Sequence, residues 1–136
     1  MQTLVIFYSF SGRTKAIAES LAAEESADIV EIKEIRRTVK LKAYTRGIFA
    51  SIRGKSWPIQ QIEADYPAYD RLILLGPIWA NNAPPAFNAM LEGLPEGKAV
   101  IVKMVSSSGK SDCKERLEAI IKAKGSTLES FEDIKA

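Results

Sequence analysis

The run Thr3-Leu4-Val5-Ile6-Phe7-Tyr8 leads straight into Ser9-Phe10-Ser11-Gly12-Arg13-Thr14. An uninterrupted apolar run belongs to a strand buried on both faces, which is the position of a central parallel strand. Parallel neighbours cannot be joined by tight turns, so such a strand commits the chain to helical crossovers. The next segment supplies one: over residues 13–24, Ile17 and Leu21 stack beside Ala18 and Ala22, while Lys15 and Glu19 face outward. The short segment between strand and helix is dense in hydroxyls and holds one glycine. That chemistry suits an anion at a helix N-terminus, where unpaired N–H groups and the helix dipole act together.

The rest of the chain repeats this alternation. Asp28 to Ile35 alternates apolar and charged residues as an edge strand does. An irregular segment follows to about Tyr69, with a short helix expected near Ala43 to Ile52. Asp70 to Leu75 is a third strand, ended by Gly76-Pro77. Pro84-Pro85 opens a helix that presents Phe87, Met90 and Leu91 on one face and stops at Gly93. Ala99 to Val105 is a fourth strand. Asp112 and Glu115 then resemble a capping box before a stripe of Cys113, Leu117, Ile120 and Ile121 that Gly125 ends. Leu128 to Ile134 reads as a fifth strand. Alternating strands and helices make a doubly wound parallel sheet in a single domain spanning residues 1–136.

Composition removes several classes of chemistry. With no histidine and one cysteine, neither a Ser-His nor a Cys-His nucleophile can be built, and a transition-metal site lacks its usual ligands. An apolar share of 46% against 26% charged residues is that of a folded domain, not a disordered one. No apolar stretch approaches the ~18 residues of a membrane span, and no signal-peptide pattern opens the chain. A cytoplasmic protein without membrane or nucleic-acid partners is expected. Cys113 reads as a core residue of its helix. Any redox chemistry would then fall to an organic cofactor.

Ligands of doubly wound sheets bind beyond the carboxyl ends of the strands. Three loops meet there. In the first, Ser9, Ser11 and Thr14 offer hydroxyls, Gly12 a close backbone approach and Arg13 a charge, a set suited to phosphate. A plain helix cap by Ser11 is the structural alternative. The second, Pro77-Ile78-Trp79-Ala80-Asn81-Asn82-Ala83, offers an indole face for stacking and two amides for ring heteroatoms. Trp79 as a lid on the core is the alternative there. The third, Ser106-Ser107-Ser108-Gly109, borders a ring with hydroxyls and N–H groups. Its Gly109-Lys110-Ser111 is no triphosphate loop, since Met104 stands where that motif requires glycine. One phosphate and one flat polycyclic head describe flavin mononucleotide (FMN).

Tyr8-Ser9-Phe10-Ser11-Gly12-Arg13-Thr14, followed by Gly76-Pro77-Ile78-Trp79-Ala80, resembles the flavodoxin family, and the likeness covers nearly the whole chain. The resemblance implies a flavodoxin-like five-stranded parallel sheet of order 2-1-3-4-5. It implies FMN with its phosphate on Ser9 and Ser11 to Thr14, its ring flanked by Pro77 to Ala83 and covered by Ser106 to Gly109. It implies electron transfer to a redox partner protein or a small-molecule acceptor. An NAD(P)H-dependent FMN or quinone reductase, and an interaction module without tight flavin binding, are the alternatives. The final helix usual in the family has no counterpart in the eleven residues after Gly125. Side chains such as Leu72, Leu74 and Ile101 are therefore expected to lie bare, covered by a second copy of the chain or by residues 36–66. Between Lys33 and Trp57, eight basic residues stand against Glu34 alone, the pattern of a solvated insertion or of a docking surface for an acidic partner.

Overall fold

The apolar run at the start of the chain forms strand β1, Thr3–Phe7, every residue of which is buried. In this computed structural model, residues 2–35 and 56–136 are described. After β1 come helix α1 (Arg13–Glu25), strand β2 (Asp28–Glu31), a single 3-10 turn (Tyr66–Ala68) and strand β3 (Arg71–Pro77). Helix α2 (Pro85–Glu92), strand β4 (Ala99–Ser106), helix α3 (Lys114–Ala123) and strand β5 (Thr127–Lys135) complete the order. All five strands are parallel, in the order β2-β1-β3-β4-β5. The expected edge strand Asp28 to Ile35 is thus half as long, because Ile32 and the residues after it leave the ladder. Ile32 still donates its N–H to the Phe7 carbonyl at 2.7 Å, and Gln60 donates to the Lys33 carbonyl at the same distance. The helix expected near Ala43 to Ile52 lies outside the described residues.

Strand periodicity divides the core. Leu4, Ile6, Leu72, Leu74, Val100, Val102 and Met104 face one way, onto α2 and α3. Val5, Phe7, Ile73 and Leu75 face the other way, onto Ala18 and Ala22 of α1. A one-residue change of register would exchange these two sets, so the two-sided apolar patterning fixes the pairing.

The expectation of a bare apolar face is corrected in three respects. Leu72 and Leu74 are fully buried beneath α2 and α3. Of the cover expected from residues 36–66, Trp57, Ile59, Ile62, Ala64 and Tyr66 pack on the opposite face, and residues 36–55 lie outside the described residues. Over β4 and β5 the α1 side carries charge as well as Ile101: Arg71 pairs with Glu129 at 2.8 Å and Lys103 with Glu132 at 2.6 Å. A register shift between Val100 and Ile101 bends β5 where Glu129 stands. Among the described residues, a groove of about 370 Å³ lies between α1 and the last two strands, lined by Ile17, Leu21, Lys103 and Ile134 among others.

Candidate functional site

Parallel order brings the three loops to one edge, and backbone hydrogen bonds fasten them together. Tyr8 donates to the Leu75 carbonyl at 3.0 Å, joining the first loop to β3. Ile78 donates to the Val105 carbonyl at 2.9 Å, and Asp112 to the Asn81 carbonyl at 2.9 Å, joining the second loop to the third. This bond also takes Asp112 out of the capping box expected with Glu115. Cys113 occupies the N-cap of α3, with no side-chain cap.

In the first loop, Gly12 is the N-cap of α1 at φ +97°, a conformation that favours glycine. Its N–H donates to Ser9 Oγ at 3.1 Å, so Ser9 shapes the turn. No side chain caps α1 and no acidic residue stands in its first turn. The Ser11 cap is therefore absent, and the first-turn N–H groups remain open for an acceptor. Ser11 and Gly12 are exposed, while Thr14 is buried against the sheet. Arg13 is exposed and donates through Nη1 to the carbonyl oxygen of Ala136 at 2.8 Å. Its charge sits at the right end of the helix, but its side chain is turned toward the end of β5.

The second loop closes on itself. Trp79 and Asn82 exchange both backbone hydrogen bonds, at 2.9 and 3.0 Å, around Ala80 and Asn81. Both central residues have positive φ, 50° and 66°, which defines a type I′ turn made without glycine. Asn82 Nδ2 donates to the Ala80 carbonyl at 3.3 Å, bracing the same turn. Pro77 ends β3, Ile78 is half-buried and Ala83 is fully buried ahead of α2. Gly76 is required by packing: a Cβ there would come within 2.8 Å of Phe87 Cδ2.

Trp79 lies where its core-lid alternative put it, with 3% of its surface exposed. Among the described residues, three rings meet it edge to face: Tyr8 at 6.1 Å, Phe10 at 5.3 Å and Trp57 at 6.2 Å between centroids. Phe10 therefore turns inward, onto the core. Trp57 carried no assignment from sequence. Its only signal in the sequence is an aromatic residue preceding Pro58 within the irregular segment, and nothing local says where that residue lands. Tyr8 also donates its hydroxyl to Glu34, tying the first loop to the stretch after β2.

The third loop spends its hydroxyls internally. Ser106 Oγ accepts from Gly109 N–H at 3.0 Å, and Ser108 Oγ accepts from Lys110 N–H at 3.2 Å. Gly109, at φ +71°, leaves Lys135 the room that a Cβ would take. Ser107 is exposed. Beneath this loop, Ser111 Oγ donates to Asp133 at 2.7 Å and lies 3.5 Å from Cys113 Sγ. Burial pushes the Cys113 thiol above its ordinary range, with Ser111 opposing and Asp133 reinforcing the rise. Among the described residues no cluster of acidic or cysteine side chains is arranged to hold a metal ion, and no helix is long and apolar enough to cross a membrane.

The edge thus offers an uncapped helix N-terminus, a braced turn and an aromatic cluster, at the strand ends where doubly wound folds bind nucleotides. A flavoprotein in complex with FMN from Lactobacillus acidophilus NCFM is similar in structure. It has a TM-score of 0.76 at 21% identity, over 96% of this chain and 91% of that one. Oxidised flavodoxin 2 from Bacillus cereus is similar at a TM-score of 0.58 and 18% identity, over 100% of this chain and 86% of that one. No curated protein matches the chain. At such identities the solved structures attest the fold. Lineage comes from the match to the family described as flavodoxin, which runs over residues 2–127. The chain belongs to the flavodoxin family.

Proposed function

We propose that this protein binds FMN at the carboxyl edge of its sheet and works as an electron-transfer flavoprotein. The observation that carries this is the first turn of α1, which has open N–H groups, no side-chain cap and no carboxylate, in a flavodoxin-family chain. The complex of the Lactobacillus acidophilus relative with FMN supports the choice of cofactor. Bound FMN supplies reversible uptake of one or two electrons.

The chain's own residues have simpler tasks. Ser9 fixes the turn that aims the N–H groups of Arg13, Thr14 and Lys15 at a phosphate, and the helix dipole favours its charge. The Arg13 guanidinium adds positive charge at that end. The braced turn at Ala80-Asn81 holds the second loop in place. Phe10, Trp79 and Trp57 make an apolar mass that keeps water from one side of the site. Electron transfer with a partner requires no side chain to move a proton, in keeping with a chain that has no histidine.

Titration of apo-protein with FMN and with riboflavin tests the cofactor. Loss of phosphate contacts is expected to weaken riboflavin binding at least tenfold, about 1.4 kcal/mol or more. Equal affinity for the two, or none for either, would overturn the assignment. The FMN-loaded, photoreduced protein is then mixed with a one-electron acceptor such as ferricyanide, and stoichiometric oxidation is expected. Catalytic consumption of NAD(P)H by the protein alone would replace the carrier by a reductase.

A further inference from the structure

Charge is sorted along the strand axis. In a parallel sheet with crossover helices, strands end and helices begin at one edge, here the edge of the three loops. Exposed basic side chains gather there. Arg13 and Lys15 open α1, Lys33 follows β2, Lys110 follows the third loop, Lys114 opens α3 and Lys135 ends β5. Of the acidic residues at this edge, Asp112 and Glu115 are exposed and Glu31 is half-buried. Glu34 takes the Tyr8 hydroxyl and Asp133 that of Ser111.

The opposite edge has the reverse sign. Glu24 and Glu25 end α1, Asp28 starts β2, Asp70 precedes β3, Glu92 ends α2 and Glu96 follows it, all of them exposed. Two of the basic residues there are engaged, Arg71 by Glu129 and Lys98 by the Tyr66 and Tyr69 carbonyls at 2.9 and 2.7 Å. Lys122 and Lys124 stand exposed at the end of α3.

The macrodipoles of α1, α2 and α3 add to this asymmetry, since all three place their positive ends at the loop edge. The formal charge of the whole chain is only +2, so the field comes from where the charges stand and not from their sum. Residues 36–55 carry seven basic and no acidic side chains. They lie between two points at the loop edge, Ile35 after β2 and Trp57 bonded to Pro85 at the start of α2. A phosphate held at α1 offsets about two of these positive charges.

Resting on the electron-transfer reading above, we propose that the loop edge is the docking face for an acidic redox protein. Such a partner carries carboxylates around its own redox centre and passes one electron per encounter to or from the flavin. The basic edge attracts it and the acidic edge repels it, which selects the orientation that brings the two centres together. A carrier must present its cofactor edge to its partner, and a nucleic acid offers no redox centre to meet it.

The test uses the FMN-loaded protein in stopped flow with two probes. Reduced plant-type ferredoxin, an acidic carrier, gives one electron to the oxidised flavin; cytochrome c, a basic carrier, takes one from the photoreduced flavin. Between about 20 and 500 mM salt the ferredoxin rate is expected to fall at least tenfold and the cytochrome rate to rise. At low salt Lys33→Glu/Lys110→Glu is expected to slow ferredoxin about tenfold. Lys122→Glu/Lys124→Glu makes the same change in net charge at the other edge and is expected to alter that rate less than about twofold. Circular dichroism and FMN titration establish that both variants fold and load. If the first does not fold, the salt dependence of the two wild-type rates decides. Rates indifferent to salt, or equal effects of the two variants, would overturn the proposal alone. Binding of duplex DNA at about 150 mM salt that Lys33→Glu/Lys110→Glu abolishes would also overturn it, replacing the protein partner by a nucleic acid. A wild-type chain that binds no FMN would overturn the reading beneath it, and the proposal with it.

Discussion

Cys113 shows how a single side chain reports on its surroundings. It is fully buried at the N-cap of α3, among residues of the α2–α3 core, and burial raises its thiol above the usual range. A thiol kept protonated by burial reacts poorly, so native protein is expected to resist iodoacetamide at neutral pH and to react once denatured. Rapid modification of the folded chain would contradict its placement. The sign of the linked pH effect follows from the raised value. The contribution to stability is complete below the ordinary thiol range, about 8.5, and is lost as pH rises through the raised value of the folded state. Denaturant melts across that window should show stability falling, and Cys113→Ala should remove that part of the fall at a cost of about 1 kcal/mol in packing.

At the scale of elements, the turn at Trp79-Ala80-Asn81-Asn82 is where local preference and the observed backbone disagree most. Asparagine tolerates a positive φ, whereas Ala80 pays for its φ of 50°. The turn persists because both of its backbone hydrogen bonds form and Asp112 holds the Asn81 carbonyl from the neighbouring loop. Ala80→Gly relieves that strain while making the unfolded chain more flexible. A net gain of about 0.5 kcal/mol is expected in equilibrium denaturation, and a loss of 1 kcal/mol or more would show that Ala80 packs usefully. The edge at β5 illustrates the opposite balance. Its acidic residues pair with Arg71 and Lys103 across the strands, pairs of this exposure contribute up to about 1 kcal/mol each, and their larger effect is to keep the α1 side of the sheet polar.

For the molecule as a whole, ligand linkage gives a direct check. A ligand bound by the folded state alone, at a free concentration about 100 times its Kd, adds about 2.7 kcal/mol, which raises Tm by about 10 °C in a domain of this size. FMN should produce such a shift and riboflavin a smaller one, and thermal melts with no response to FMN would count against the site. The sequence by itself determined the sheet, because two-sided apolar runs, a glycine-bearing loop before a helix and proline at a helix start are local signals with local causes. It also located the three loops, since parallel strands bring their carboxyl ends to one edge in any register. What only the tertiary structure decided are the long-range placements. Trp79 packs edge to face with Tyr8, Phe10 and Trp57, Arg13 turns toward Ala136, and Trp57 is tied to the start of α2 through Pro85. Each joins residues far apart in the chain, and which aromatic is buried depends on how many others arrive around it, a quantity that no window of sequence contains.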